Sequence, residues 1–284
     1  MDHHIVLNFI GAREAFEVKV PMQQPSNSTL RVASIPALAL PKITAWDDRK
    51  HSGRETKRRR RAVSSRSGKR KRRMIIITIK QGKEKGLLSG DPWIYVSAIE
   101  KVDGKPQERN RPGATAIVQS SARQFLARAA YNAKSQIAAR VWTLREDEPV
   151  DHAMIKRRVQ AAVLLRADAL RSADPQKLVL LIDGEKDGLP GLLVHSYGGA
   201  EGYLICQFNA GGVDLWKVTV VQALLGATGC RNVYERCDPL LRGGEGLSVT
   251  PHALAGDEPP QRLMVREGSR LVPMDIRTGF TYPR

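Results

Sequence analysis

Cysteine is scarce in this chain: three residues in 284, Cys206, Cys230 and Cys237, with no C-x-x-C pair and no histidine at zinc-finger spacing. That excludes a disulfide framework and a zinc site, and leaves each thiol as a small apolar residue of the interior. Long hydrophobic runs are also missing. No stretch approaches the roughly 18 apolar residues that cross a bilayer, and "MDHHIVLNFIGAREAF" has neither a basic leader nor an apolar one. The expectation is a cytoplasmic chain with no membrane and no metal among its partners. Several catalytic signatures are absent as well: no G-x-S-x-G elbow, no G-x-x-x-x-G-K-[ST] phosphate loop, and no G-x-G-x-x-G fingerprint, the glycines of "LLRGGEGL" being read as a turn.

Negative charge is in deficit. Lys and Arg number 46 against 29 Asp and Glu, a formal charge of +17, which points to a polyanionic partner such as nucleic acid. The excess is uneven: residues 1–73 hold 18 basic against 6 acidic residues and end in "KRRRRAVSSRSGKRKRR". With four prolines and no sustained periodicity, 1–73 is expected to be a disordered basic extension, either a nucleic-acid arm or translated upstream sequence before a start at Met74.

From Met74 the texture changes. "MIIITIKQG" is a β-branched strand, "KEKGLLSG" a short helical turn, and "DPWIYVSAIEKVDG", "ATAIVQSS", "QFLARAAYN" and "QIAARVWTL" come at the spacing of a small all-β barrel. Alternation in the last places Ile137, Ala139, Val141 and Thr143 on a buried face and sends Arg140 to the outside. Asp151 then caps a helix whose Ile155, Val159, Ala162, Val163 and Leu170 recur at three- and four-residue steps. Three strands come next ("KLVLLIDGE", "GLLVHSYG", "GYLICQF"), then a helix over "VDLWKVTVVQALLGATG", the strand "RNVYERCD" and a terminal hairpin.

The connection "DGEKDGLPGLLVHSYG" places Asp183, Glu185, Asp187 and Gly188 on positions one, three, five and six of a calcium loop, but position twelve is Val194 and strands flank it, so a tight structural turn is expected. His195, alone in a strand, is expected to be packed rather than a ligand.

"KQGKEKGLLSGDPWIYVSAIEKVDG", "FLARAAYNAKSQIAARVWT", "DGEKDGLPGLLVHSYG", "NVYERCD" and "GGEGL", in this order, resemble the bacterial ribosomal-RNA methyltransferases with an N-terminal PUA domain, from Met74 to about Gly279. The resemblance implies an RNA-binding PUA fold, an α+β linking domain and a C-terminal Rossmann-like domain that uses S-adenosylmethionine to methylate carbon 5 of a cytosine in large-subunit rRNA. The chain departs from the family at Asp91, His195 and Ser196, and after Phe280, where "TYPR" replaces the family's continuation.

The expected fold is therefore α+β: a PUA-like barrel over 74–145, a linking domain over 150–270, and over 271–284 the start of a catalytic domain cut short, the Rossmann-like domain itself missing. The expected function is rRNA binding for a methyltransferase, inactive alone, with no catalytic residue and no cofactor in this chain. A truncated or split enzyme, paired with a separately encoded catalytic domain, or a non-enzymatic RNA-binding scaffold stand as alternatives. For the RNA face the expectation names Lys80, Lys83, Lys85, Arg128 and Arg140 on phosphates, with Trp93 and Tyr131 stacking on bases; Trp93 equally fits a barrel core.

Overall fold

The computed structural model describes residues 74–172 and 174–283; the basic extension read over 1–73 lies outside them. The first part comprises β1 (Ile75–Ile79), α1 (Lys85–Leu88), β2 (Trp93–Ile94), β3 (Ile99–Asp103), α2 (Pro106–Arg109), β4 (Ala114–Gln119), β5 (Phe125–Tyr131) and β6 (Ala139–Thr143). They form a six-stranded sheet in the order β2-β6-β5-β4-β1-β3, with β1 parallel to β4 and antiparallel to β3. Period-two alternation drives Ile75, Ile77 and Ile79 into a core with Ala116, Val118, Ala127, Ala129, Leu87 and Ile94.

The second part runs through α3 (His152–Leu165), α4 (Ala167–Ser172), β7 (Val179–Asp183), β8 (Leu192–Tyr197), β9 (Tyr203–Phe208), α5 (Gly211–Leu215), α6 (Lys217–Thr228), β10 (Asn232–Glu235), α7 (Pro239–Gly244) and β11 (His252–Ala255). The sheet order is β11-β10-β9-β8-β7. A last sheet contains β12 (Leu263–Glu267), β13 (Arg270–Asp275) and β14 (Phe280–Thr281). Asp151 Oδ1 accepts the Met154 amide at 2.9 Å, capping α3 as its sequence predicts, and Met154, Ile155, Val159, Ala162 and Val163 are buried. α6 packs beside α3 and ends on Gly229 at φ 72°, where glycine takes the left-handed cap without strain. Along β9, Leu204, Cys206 and Phe208 share the helices' core while Ile205 turns to the other face, where Tyr234, Val265, Met274 and Ile276 complete a smaller cluster.

Four expectations are corrected by this fold. First, β10 lies parallel to β9, and the chain returns between them through α5 and α6. That is a βαβ crossover, the repeating unit of Rossmann-type layers. A plain α+β linking domain with the Rossmann-like part missing is therefore not what the chain builds. Successive strands are visible in the sequence, but their direction is not. Second, the single helix expected over "VDLWKVTVVQALLGATG" breaks at Trp216 into α5 and α6. Third, "LLRGGEGL" begins in helix α7, nucleated by Pro239 in the first turn and by Asp238, whose carboxylate accepts the Leu240 and Leu241 amides. Fourth, the outward face of β5 and β6 is not solvated: Ala130 and Trp142 are buried in the helices' core. The two sheets share that core.

Candidate nucleic-acid interface

The turn after β1 collects three cations. Gly82 at φ 82° lets the chain double back, the Lys83 amide donates to the Lys80 carbonyl at 3.0 Å, and Lys80, Lys83 and Lys85 all stand exposed. Lys80 Nζ also donates to the Ser97 carbonyl at 2.9 Å, which fixes that ammonium at the mouth of the turn.

The other four residues named for the RNA face do not join this turn. Arg128 donates to the Glu146 carbonyl at 2.9 Å and lies over the Phe125 ring, on the wall of a cleft beside α5 and α6. Tyr131 is 8% exposed and belongs to the first sheet's core, so its ring has no open face. Trp93 and Arg140 do meet, guanidinium 5.8 Å from ring centroid, but both are engaged at the junction of the sheets. The Trp93 indole donates to Glu185 Oε1 at 2.9 Å, and Arg140 lies 3.4 Å from Glu185 and 3.2 Å from Glu245.

That junction is what sequence reasoning missed. Glu245 is 5% exposed and its carboxylate accepts from Asn132 Nδ2 at 2.8 Å, Ser135 Oγ at 2.6 Å, Arg140 Nη2 at 3.2 Å and the Gly211 amide at 3.3 Å. The "GGEGL" segment is visible as a motif; its partners, more than a hundred residues upstream in Asn132, Ser135 and Arg140, are not. Beside it the backbones touch. A Cβ at Gly113 would fall 2.0 Å from the Gly211 carbonyl oxygen, and one at Gly212 would fall 2.6 Å from the Ala130 Cβ.

The loop at 183–188 belongs to the same junction. Besides Glu185, Asp187 pairs with Arg166 at 3.0 Å, and Arg158 Nη1 donates to the carbonyls of Gly188 and Trp142, each at 2.7 Å. Its acids are occupied by the protein's own cations and amides, which leaves them a structural role rather than a calcium site. Among the described residues no group of three His, Cys, Asp or Glu could hold a metal, and no helix is long and apolar enough to cross a membrane.

No thiol is set up as a nucleophile. Cys206 is fully buried, and burial, with Glu235 nearby, pushes its thiol far above the ordinary value. Cys237 is also raised, first by burial and then by Glu235. A protonated thiol is a poor nucleophile. Iodoacetamide at neutral pH should therefore modify half-exposed Cys237 first and leave Cys206 and Cys230 untouched until the chain unfolds; mass spectrometry of the native protein reads this directly, and rapid labelling of Cys206 would contradict its placement. His195 is held below its usual value by burial and then by Arg236, so it is uncharged at neutral pH.

Residues 77–144 match the model of the PUA-like domain family. The first sheet is a PUA-like domain. The chain is also homologous, PUA-like domain included, to proteins named ribosomal RNA large subunit methyltransferase I: 36% identical over 208 residues to that of Vibrio cholerae, 36% over 203 to that of Erwinia tasmaniensis and 34% over 210 to that of Aliivibrio fischeri, covering 72% of this chain each time. It spans about half the length of these curated relatives. Among solved structures it is similar to a candidate SAM-dependent methyltransferase from Streptococcus mutans, with a TM-score of 0.56 and 15% identity, and to a candidate methyltransferase complexed with SAH, with a TM-score of 0.57 and 14% identity. Each likeness covers 73% of this chain and 50% of the other. With most of the chain superposing on methyltransferase folds, the reading of a missing Rossmann-like domain is overturned.

A methyl donor needs a cradle, and the glycine pair that directly follows a parallel strand among the described residues is Gly211-Gly212, beyond the end of β9. It is filled by the PUA-like domain: Gly113 and Pro112 press on Gly211, and Ala130 and Trp142 on Gly212. Glu235, the acid at the end of β10, is 1% exposed and paired with Lys217 at 2.9 Å and Arg242 at 3.2 Å. These residues do not fit S-adenosylmethionine.

Proposed function

We propose that this chain binds ribosomal RNA through its PUA-like domain, with the lysine turn after β1 as the principal phosphate contact. The carrying observation is the convergence of exposed Lys80, Lys83 and Lys85 on one turn, in a chain homologous to large-subunit rRNA methyltransferases. Three ammonium groups on a short arc attract a phosphate backbone by releasing its condensed counterions. Arg128 remains in the proposal as an outlying contact. Tyr131 leaves it because it is buried, and Arg140 because Glu185 and Glu245 hold its guanidinium; Trp93, 39% exposed with its indole N–H held by Glu185, stays as an outlying contact.

In this reading 74–145 is the RNA-binding domain and 150–270 the layer that holds it in a fixed pose. Methyl transfer to rRNA is the activity that the homology supports, carbon 5 of a cytosine as its target rests on the sequence resemblance alone, and S-adenosylmethionine is the donor that such a reaction uses. The homology does not support the expectation of inactivity, and no finding supports a separately encoded catalytic chain.

Reversing two charges tests the proposal. Lys83→Glu with Lys85→Glu should weaken binding to an rRNA fragment at least tenfold at moderate salt and flatten the slope of log affinity against log salt by about 2, near the 0.9 per phosphate contact expected of condensed counterions. An unchanged slope in a titration from low to high salt would remove the turn from the RNA footprint.

A further inference from the structure

A cleft of about 990 Å³ opens between the PUA-like domain and α5–α6, at the end of β1 opposite the lysine turn. Six residue steps from Met74 on the cleft to Lys80 on the turn, at about 3.3 Å each, put the two roughly 20 Å apart. The cleft's wall combines two aromatic rings, two guanidinium groups and a carboxylate. Trp216, at the break between α5 and α6, meets His152 edge to face with centroids 4.9 Å apart. Arg111 is exposed on the rim, and Arg128 stands on the PUA-like side. Arg128 Nε and Glu108 Oε2, in side chains that line the cleft, are buried and have no hydrogen-bond partner. Buried donors and acceptors in folded proteins are normally satisfied, so an unpartnered pair of opposite type in one cleft fits a ligand with both kinds of group.

We infer that this cleft takes one unstacked base of a single-stranded RNA segment, resting on Trp216 and His152, with its flanking phosphates on Arg111 and Arg128. Aromatic rings accept any base face, while guanidinium groups track the backbone, and the two together distinguish unpaired RNA from duplex. Glu108 offers an acceptor to an exocyclic amine or a ribose hydroxyl. The lining itself favours a polyanion: Arg111 and Arg128 stand on the same cleft as the two rings and give an apolar protein segment nothing. The inference rests on the RNA-binding reading but uses a different face.

The test uses the full chain and a short unpaired oligoribonucleotide carrying a fluorescent purine, alongside the same sequence as a duplex. Trp216→Leu should abolish quenching of the purine and weaken the single strand about tenfold, the size of one base–aromatic stack, with little change for the duplex. Arg111→Glu, a surface change that leaves folding alone, should lower the salt slope for the single strand by about 1. The Lys83→Glu, Lys85→Glu chain runs in parallel. Losses in that chain with none in the Trp216 and Arg111 variants overturn the cleft and leave the lysine turn standing; the reverse pattern overturns the turn alone. Equal loss for single strand and duplex, or displacement of the oligonucleotide by SAH, also overturns the inference. If Trp216→Leu lowers the unfolding temperature, Arg111→Glu carries the test.

Discussion

Gly113→Ala should be among the most damaging single methyl groups that can be added to this protein. At φ 78° the residue already sits where an L side chain is strained, at a cost of roughly 1 kcal/mol or more. The larger cost is steric. The new Cβ would fall 2.0 Å from the Gly211 carbonyl oxygen and 2.1 Å from its carbon, which are backbone atoms with no rotamer to turn away. Gly113 cannot retreat either, because its amide donates to the Tyr131 carbonyl at 2.8 Å within the sheet. The two backbones must part, and with them Trp142 and Ala130 leave the shared core. A loss of about 3–5 kcal/mol is expected, the range of severe packing errors, which for a unit of this size lowers the unfolding midpoint by roughly 10 °C. Calorimetry should show two separate transitions in place of one, and protease should nick the 144–150 connection. A single transition within about 2 °C of the parent would mean that the glycine contact does not hold the sheets together.

Glu245→Ala should come next. It removes a carboxylate that satisfies Asn132, Ser135, Arg140 and the Gly211 amide at once, in a site where Arg140's side chain is only 15% exposed. Its loss leaves Arg140 with Glu185 alone and the Asn132, Ser135 and Gly211 donors without their acceptor, at about 3–5 kcal/mol. Glu245→Gln keeps an acceptor and should lose roughly half as much. Arg140→Met with Glu245→Leu should lose less than the sum of the two single variants, since each side chain is a partner of the other. Denaturant midpoints decide it: additive losses in the double variant would show that the two side chains do not act as a pair.

Much of the fold can be read in the chain. Ile75, Ile77 and Ile79 alternate as a half-buried strand must, and Asp151 with Ile155, Val159, Ala162 and Val163 behind it announces a capped, one-sided helix; the structure places all of them so. These are local periodicities. What alternation cannot tell is whether the second face of a strand is wet. Arg140 and Trp142 alternate with buried residues on β6 just as exposed residues would, and only the arrival of α5 and Glu245 dries that side. The direction of β10 is equally silent in a sequence, because parallel and antiparallel strands share one side-chain period. The lysine turn was legible since turn chemistry and charge sit within six residues; the cleft was not, because Arg111, His152 and Trp216 are brought together from three separate elements.

The sharing of one core by two sheets has a consequence during synthesis. The PUA-like domain leaves the ribosome complete in its strands by Thr143, yet the α5 backbone and the Glu245 carboxylate that cover Trp142 and Arg140 are translated up to a hundred residues later. At about 5–20 residues per second, that face waits on the order of ten seconds for its cover. A nascent chain paused in this interval presents an indole and an unpaired guanidinium to whatever is near the tunnel exit.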